Sequence, residues 1–234
     1  MSMQPHRRTL RQSSTMLIVA ILFLLAGADS ASADELAIWN FNDSDLVVDH
    51  GTGTLTSNFV VTNILFAAGT TNNARLGDLA GQALSLQGGT SNTNNGRNIT
   101  FGINTLGFEN IVVSFATQGT STGFNNNQFQ YSLDGTTFVD FGSPYVPATA
   151  FGAIPVVFTL SSIAGLNNNP NAAFRIVFNG ATTSTGNNRI DNIVVEGTTV
   201  AATIPEPTTA VLLISGLTGL LGLKRKRRKL RIEE

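Results

Sequence analysis

His50 is the one imidazole in the middle of this 234-residue chain, and Asp49 stands directly before it. The pair suggests acid–base chemistry, but neighbours in an extended chain point to opposite faces, so Asp49 does not orient His50 as a catalytic triad requires. No Gly-x-Ser-x-Gly elbow offers a nucleophile. Two carboxylates can hydrolyse a glycoside, yet the eleven acids between residues 34 and 203 single out no pair. The chain has no cysteine, and its second histidine is His6. Disulfides, thiolate chemistry and multi-imidazole zinc or haem sites are therefore excluded. No acid, base and nucleophile converge, and the reading is a non-catalytic protein.

Two binding chemistries remain open. Hard cations such as calcium take several oxygen ligands, which carboxylates and backbone carbonyls supply, although no EF-hand spacing occurs. Sugars need an aromatic platform with polar neighbours. Trp39 lies within an apolar run and reads as core; Tyr131 and Tyr145 are the alternatives. Tyr145, between Pro144 and Pro147, is expected on an exposed loop and is the better ligand-binding candidate.

The charge is segregated. Residues 34–203 hold eleven acids against Arg75, Arg97, Arg175 and Arg189, with no lysine, a net charge of −7. Such a segment repels phosphate backbones, so nucleic acid is not an expected partner. Before it, Arg7, Arg8 and Arg11 precede the apolar run Met16–Ala26 and the small residues Ala31-Ser32-Ala33. That is the layout of a secretory signal peptide over residues 1–33, a substrate for the secretory translocon and signal peptidase. Arg7-Arg8 leaves a twin-arginine route open, and an uncleaved anchor is the other alternative. After it, Pro205-Glu206-Pro207 leads into an uncharged stretch over 208–223 and a basic tail over 224–231, with Lys224, Arg225, Lys226, Arg227, Arg228 and Lys229 as a stop-transfer cluster. Sixteen helical residues reach about 24 Å, short of a ~30 Å hydrocarbon core, and snorkelling of Lys224 and Arg225 closes the gap. The basic block fixes the cytoplasmic side.

What lies between must be built from strands. Segments such as Phe129-Gln130-Tyr131-Ser132-Leu133 alternate apolar and polar residues, and Asp134-Gly135 follows as a hairpin signal. Ten strands are expected: 36–42, 59–66, 82–87, 98–103, 111–117, 128–133, 137–141, 156–160, 173–178 and 189–196. Phe41, Phe59, Phe66, Phe101, Phe115, Phe129, Phe138, Phe158, Phe174 and Phe178 lie in or beside them and can pave the space between two sheets. Segments 90–97, 119–127 and 167–170 are rich in Asn, Gly, Ser and Thr and read as exposed loops. The fold class is all-β, a two-sheet antiparallel sandwich of jelly-roll type over 34–203, flanked by a signal helix and a short C-terminal transmembrane helix.

Two resemblances add to this. Pro205-Glu206-Pro207, the apolar helix and the Arg-rich end resemble the PEP-CTERM sorting signal of exported bacterial proteins over residues 204–234. The resemblance implies exosortase as processing partner, a membrane-held intermediate, and a product released or attached at the surface of a Gram-negative-type bacterium. Tyr131-Ser132-Leu133-Asp134-Gly135-Thr136-Thr137-Phe138, with Phe174–Phe178 and Gly186–Val195, is similar to bacterial jelly-roll and galactose-binding-like modules. In such modules a structural calcium often joins the first and last strands, which implies Asp43 or Asp45 with Asp191 here; the usual acid within the first strand is replaced by Asn40 and Asn42. The alternative for Asp191 is a turn carboxylate paired with Arg189 or Arg175. The function expected is a cell-surface or exopolysaccharide-matrix protein. A carbohydrate-binding or adhesive module is the alternative. Ice binding ranks third, because no regular Thr-x-Thr repeat supports it.

Overall fold

Period-two alternation decides which way each strand faces. In the computed structural model, which describes residues 33–200, Ile99, Phe101 and Ile103 are buried while Asn98, Thr100 and Gly102 between them turn outward. The signal helix and the helix over 208–223 lie outside the described residues. Twelve strands form: β1 (Ala33–Trp39), β2 (His50–Gly51), β3 (Thr54–Ser57), β4 (Ile64–Ala68), β5 (Gln82–Gln87), β6 (Arg97–Ile103), β7 (Phe108–Gly119), β8 (Asn126–Ser132), β9 (Val139–Asp140), β10 (Val156–Thr159), β11 (Ala172–Asn179) and β12 (Asn187–Thr199).

They make two antiparallel sheets. The smaller runs β3-β6-β11-β8-β9; the larger runs β10-β7-β12-β1-β2, with β5 and then β4 beside the other half of β12. The thirteen-residue β12 is the hub. One edge pairs with β7 from Asn188 to Thr199. The other pairs first with β5, over Asn187–Ile190, and then with β1, over Ile193–Thr198. First and last strands are thus neighbours, Ala33 lying opposite Thr198.

Between the sheets lies an aromatic-rich core of Trp39, Phe41, Phe59, Phe101, Phe115, Phe124, Phe129, Phe174 and Phe178 with aliphatic neighbours. Phe129 is stacked on Phe158 at 3.9 Å and lies 6.1 Å from Phe174. Phe59, Phe124 and Phe178 meet edge to face at 5.5–5.7 Å, the arrangement that ring quadrupoles favour. Trp39 is fully buried, as its apolar run suggested.

Differences from expectation have local causes. The strand expected over 59–66 begins only at Ile64: Phe59 drops into the core, and a 3₁₀ turn at Val61–Asn63 carries the chain outward. The segment 119–127 is not simply exposed, since Phe124 and Asn127 are fully buried. Phe138 does not enter the inter-sheet space; it is half-buried, with the Arg175 guanidinium carbon 3.5 Å from its ring centre. The strands β2 and β3 were not anticipated, being short and mostly polar.

A packing test follows. Replacing Phe129 by Ala removes a stacked ring from a closed core and is expected to cost about 3–5 kcal/mol. Replacing the half-exposed Val157 of β10 by Ala is expected to stay within about 0.5 kcal/mol. Urea unfolding of both variants checks this; equal costs would mean that the inter-sheet aromatic layer is not the core.

Candidate functional site

Within β12 the register slips between Asp191 and Val194, and Asn192 takes a positive φ of 48°. This is a β-bulge, and asparagine suits it because its side chain tolerates the left-handed region. Asp191 lies opposite Ala116, and the row Ile38–Val194–Ser114 shares its face of the larger sheet. Ile38, Ala116 and Val194 are buried there although they face away from the inter-sheet core. The cover is the segment 69–75, fastened by polar contacts. Thr70 N–H donates to Asp191 Oδ2 at 2.7 Å. Asn192 Nδ2 donates to the carbonyls of Thr70 and Asn72 at 2.7 and 2.9 Å. Asn73 Nδ2 donates to the Asn192 carbonyl at 2.8 Å and to Ser114 Oγ at 3.1 Å. Arg75 closes the far end, 3.0 Å from Glu196 and 3.3 Å from Glu35.

Asp191 is fully buried, and burial pushes its pKa up to about 7. Backbone donors at Thr70 and Asn192 oppose the shift, and the charge of Asp78 adds to it. Among the described residues no arginine partners it. Arg189 instead donates to the Ala68 carbonyl, and Arg175 stands on the other sheet; the expected ion pair is corrected accordingly. Gly69 lets the cover approach, because a Cβ there would stand 2.3 Å from the Ala80 carbonyl and 2.4 Å from Asp191 Oδ2.

Asp78 completes this pole. Its Oδ2 is buried and accepts no hydrogen bond, and His50 Nε2 lies 3.9 Å away. Asp49 accepts Asn40 N–H at 2.7 Å; burial, its largest influence, raises its pKa. Asp43 and Asp45 are exposed, and Asp45 Oδ1 accepts Val47 N–H at 2.7 Å in a local turn. Among the described residues no three of His, Cys, Asp and Glu gather as a metal group. Asp43, Asp45 and Asp191 are therefore not brought into one ligand set. Asp78, overlooked in the sequence, is the carboxylate beside Asp191.

Tyr145 is not an exposed platform. It bridges Asn127, its ring lies 6.0 Å from Phe115 and 6.3 Å from Phe158, and its hydroxyl is buried without a partner. Burial drives that hydroxyl's pKa upward. The open surface lies instead on the outer face of the smaller sheet. One cross-strand row there reads Thr56, Thr100, Arg175, Gln130, Asp140. The next reads Thr54, Gly102, Ala173, Ser132. The second row is all small side chains, so the surface dips into a groove of about 550 Å³ whose walls include Asn104, Asp134 and Asn171. A Cβ at Gly102 would stand 2.7 Å from Thr54 Oγ1 and would push that hydroxyl aside. Asp134 caps the hairpin at one end: its Oδ1 accepts Thr136 and Thr137 N–H at 2.8 and 2.7 Å, which holds its pKa well below the usual carboxylate range.

The buried carboxylate yields a pH test. Folded Asp191 binds its proton more tightly than an ordinary aspartate at 3.8. The stability it contributes is fully present below that value and is lost as pH rises through about 7. In chelator, the wild-type melting temperature is expected to fall more steeply between about pH 5 and about pH 8 than that of Asp191→Asn. Parallel slopes would show that the carboxylate is not buried as described.

Residues 203–229 match the PEP-CTERM protein-sorting motif. No curated protein sequence matches the chain. Among solved structures, the sandwich is similar to the CBM22-1 xylan-binding domain of Paenibacillus barcinonensis Xyn10C, at 11% identity and a TM-score of 0.45, covering 74% of this chain and 100% of that one. It is similar also to TmCBM61 in complex with β-1,4-galactotriose, at 9% identity and 0.40, covering 67% and 92%. A third is the K3 cleaved adhesin domain of Lys-gingipain from Porphyromonas gingivalis w83, at 11% and 0.43, covering 70% and 99%. At these identities the likeness concerns strand arrangement alone. The chain thus carries a two-sheet antiparallel β-sandwich followed by a PEP-CTERM sorting motif, the signal that exosortase processes.

Proposed function

We infer that this is an exported, non-catalytic protein of a bacterial cell surface or exopolysaccharide matrix, delivered through its C-terminal signal. The observation that carries the reading is the matched sorting motif, which begins at residue 203, just after β12 ends at Thr199. Signal peptidase would remove residues 1–33, and exosortase would act near Pro205, Glu206 and Pro207. The helix over 208–223 and the basic cluster Lys224–Lys229 would hold the precursor in the inner membrane until then. Outside, a −7 domain without lysine stays soluble and gathers cations among polysaccharide chains.

A carbohydrate-binding role is the second reading, and the outer groove of the smaller sheet favours it. Hydroxyls of Thr54, Thr56 and Thr100 and the amides of Asn104 and Asn171 stand beside small floor residues, which leaves room and hydrogen-bonding groups for sugar rings. The same reading includes the structural calcium that the fold resemblance implies. The residues fit it in one respect: the orphaned Asp78 Oδ2, Asp191 and the Ala80 carbonyl are hard oxygen donors at one pole. Asp78 and Asp191 would hold the ion, and its charge would offset their mutual repulsion.

Three outcomes check these statements. Replacing Pro205-Glu206-Pro207 by alanines is expected to keep the protein in the membrane fraction of an exosortase-bearing host; unchanged release would contradict the sorting role. Calcium is expected to raise the melting temperature relative to chelator, and Asp78→Asn to abolish that gain; no shift in the wild type would remove the metal site. Thr54→Phe, which fills the groove from its exposed wall, is expected to abolish glycan binding without unfolding the domain. Retained binding would place the sugar elsewhere.

A further inference from the structure

Arg175 stands apart from the other arginines of the described residues. Arg75 is held by Glu35 and Glu196, Arg97 donates to the carbonyls of Thr93 and Asn58, and Arg189 donates to that of Ala68. Arg175 lies in the middle of the outer row of the smaller sheet, opposite Thr100 on one side and Gln130 on the other. Its Nε donates to Thr100 Oγ1 at 3.0 Å, and its plane rests on the Phe138 ring at 3.5 Å. Thr100 and Ala173, its neighbours across and along the strands, both line the groove. Among the described residues no carboxylate comes within salt-bridge distance, and its two terminal nitrogens have no acceptor. A guanidinium with its stem and face fixed and its fork unoccupied is preorganised for a carboxylate, which it meets through two parallel hydrogen bonds.

The surrounding charge limits how acidic a partner can be. Asp134 lines the groove, and Asp140 closes the Arg175 row, where it accepts Gln130 Nε2 at 2.8 Å. A chain with an acid on every unit would meet these carboxylates; one with occasional acids would place one on Arg175 and neutral sugars elsewhere. Screening over about 10 Å at ordinary salt leaves the local cation in command of a single bound charge. This also distinguishes the partner from nucleic acid, whose charge density the −7 domain repels.

We propose that the groove takes a mainly neutral polysaccharide carrying isolated uronate groups, with one carboxylate seated on the Arg175 fork and neutral sugar rings lying over Thr54, Gly102 and Ala173. The inference rests on the carbohydrate reading of this groove and names its ligand class.

The test uses residues 33–200, whose core cluster runs from Leu36 to Val195, after a cooperative melting transition has established that this segment folds alone. Omitting the basic tail keeps its cations from capturing an acidic sugar. Three probes are titrated calorimetrically: a neutral oligosaccharide bearing one glucuronate, the same compound with that carboxyl reduced to the alcohol, and an oligogalacturonate. The first is expected to bind at least about tenfold more tightly than the second. Arg175→Gln is expected to make the two equal. Arg175→Lys, which keeps the charge and loses the fork, is expected to lose most of the preference; unchanged melting temperatures confirm that both variants fold. Equal binding of the first two probes by the wild type would overturn the inference and leave the carbohydrate reading standing. Tighter binding of the oligogalacturonate would overturn the sparse-charge statement. Failure of all three to bind would overturn the carbohydrate reading itself.

Discussion

A carboxylate buried at a bulge in the central strand is the constraint on which the larger sheet depends. The strand β12 pairs with β7, β5 and β1, and the bulge at Asp191 and Asn192 marks the change from one partner to the next. A buried charge and two polar side chains inside a sheet are costly unless their hydrogen bonds are made. Here they are made by the backbone of segment 70–73, which no strand pairing holds. The polar groups at the bulge and the chain that covers it satisfy each other. Ile38, Ala116 and Val194 are removed from water as a result.

The same economy runs through the asparagines. Asn95 accepts the N–H of Ala181 and donates to its carbonyl, both at 3.0 Å, so one side chain stands in for a paired strand residue. Asn188 does this for Phe124, at 3.1 and 2.9 Å, and so carries that ring into the core from an irregular segment. Asn94 donates to the Gln87 carbonyl and accepts Val60 N–H. An amide side chain offers the same donor and acceptor as a peptide group, which lets loops bury their backbone without joining a sheet. The groove on the smaller sheet combines a floor of small residues on β6 and β11 with loop walls at Asn104, Asp134 and Asn171.

Much of this architecture could be read from sequence, for identifiable reasons. The alternation in β5, β6, β8 and β11 is strong, and their expected limits fall within two residues of the observed ones. The Asp134-Gly135 turn was legible because aspartate and glycine have specific duties there. β3 was not, since Thr54-Leu55-Thr56-Ser57 offers a single apolar residue. Phe124 was hidden among Asn, Gly, Ser and Thr because its burial depends on Asn188, 64 positions away. Tyr145 misled because flanking prolines signal a loop and say nothing of what the loop packs against. Asp191 was singled out as a calcium ligand by the fold resemblance, which drew its companions from beside the first strand. Asp78 lies just beyond the covering segment, and no local pattern connects it to β12. The groove, made of residues from separate strands, has no linear signature.

Address and domain occupy separate stretches of the sequence. The sorting motif is a contiguous code, legible in full, whereas the outer surface of the sandwich is assembled from residues far apart in sequence. The account turns on the claim that segment 69–75 is fixed to β12 by its polar contacts. Native-state hydrogen exchange at the Thr70 amide tests this most directly. Although Thr70 belongs to no strand, its N–H donates to a fully buried carboxylate, and the prediction is protection comparable to the central residues of β12. Exchange at the rate of an open surface loop would contradict it, and with it the buried state of Asp191 and the pole built around it.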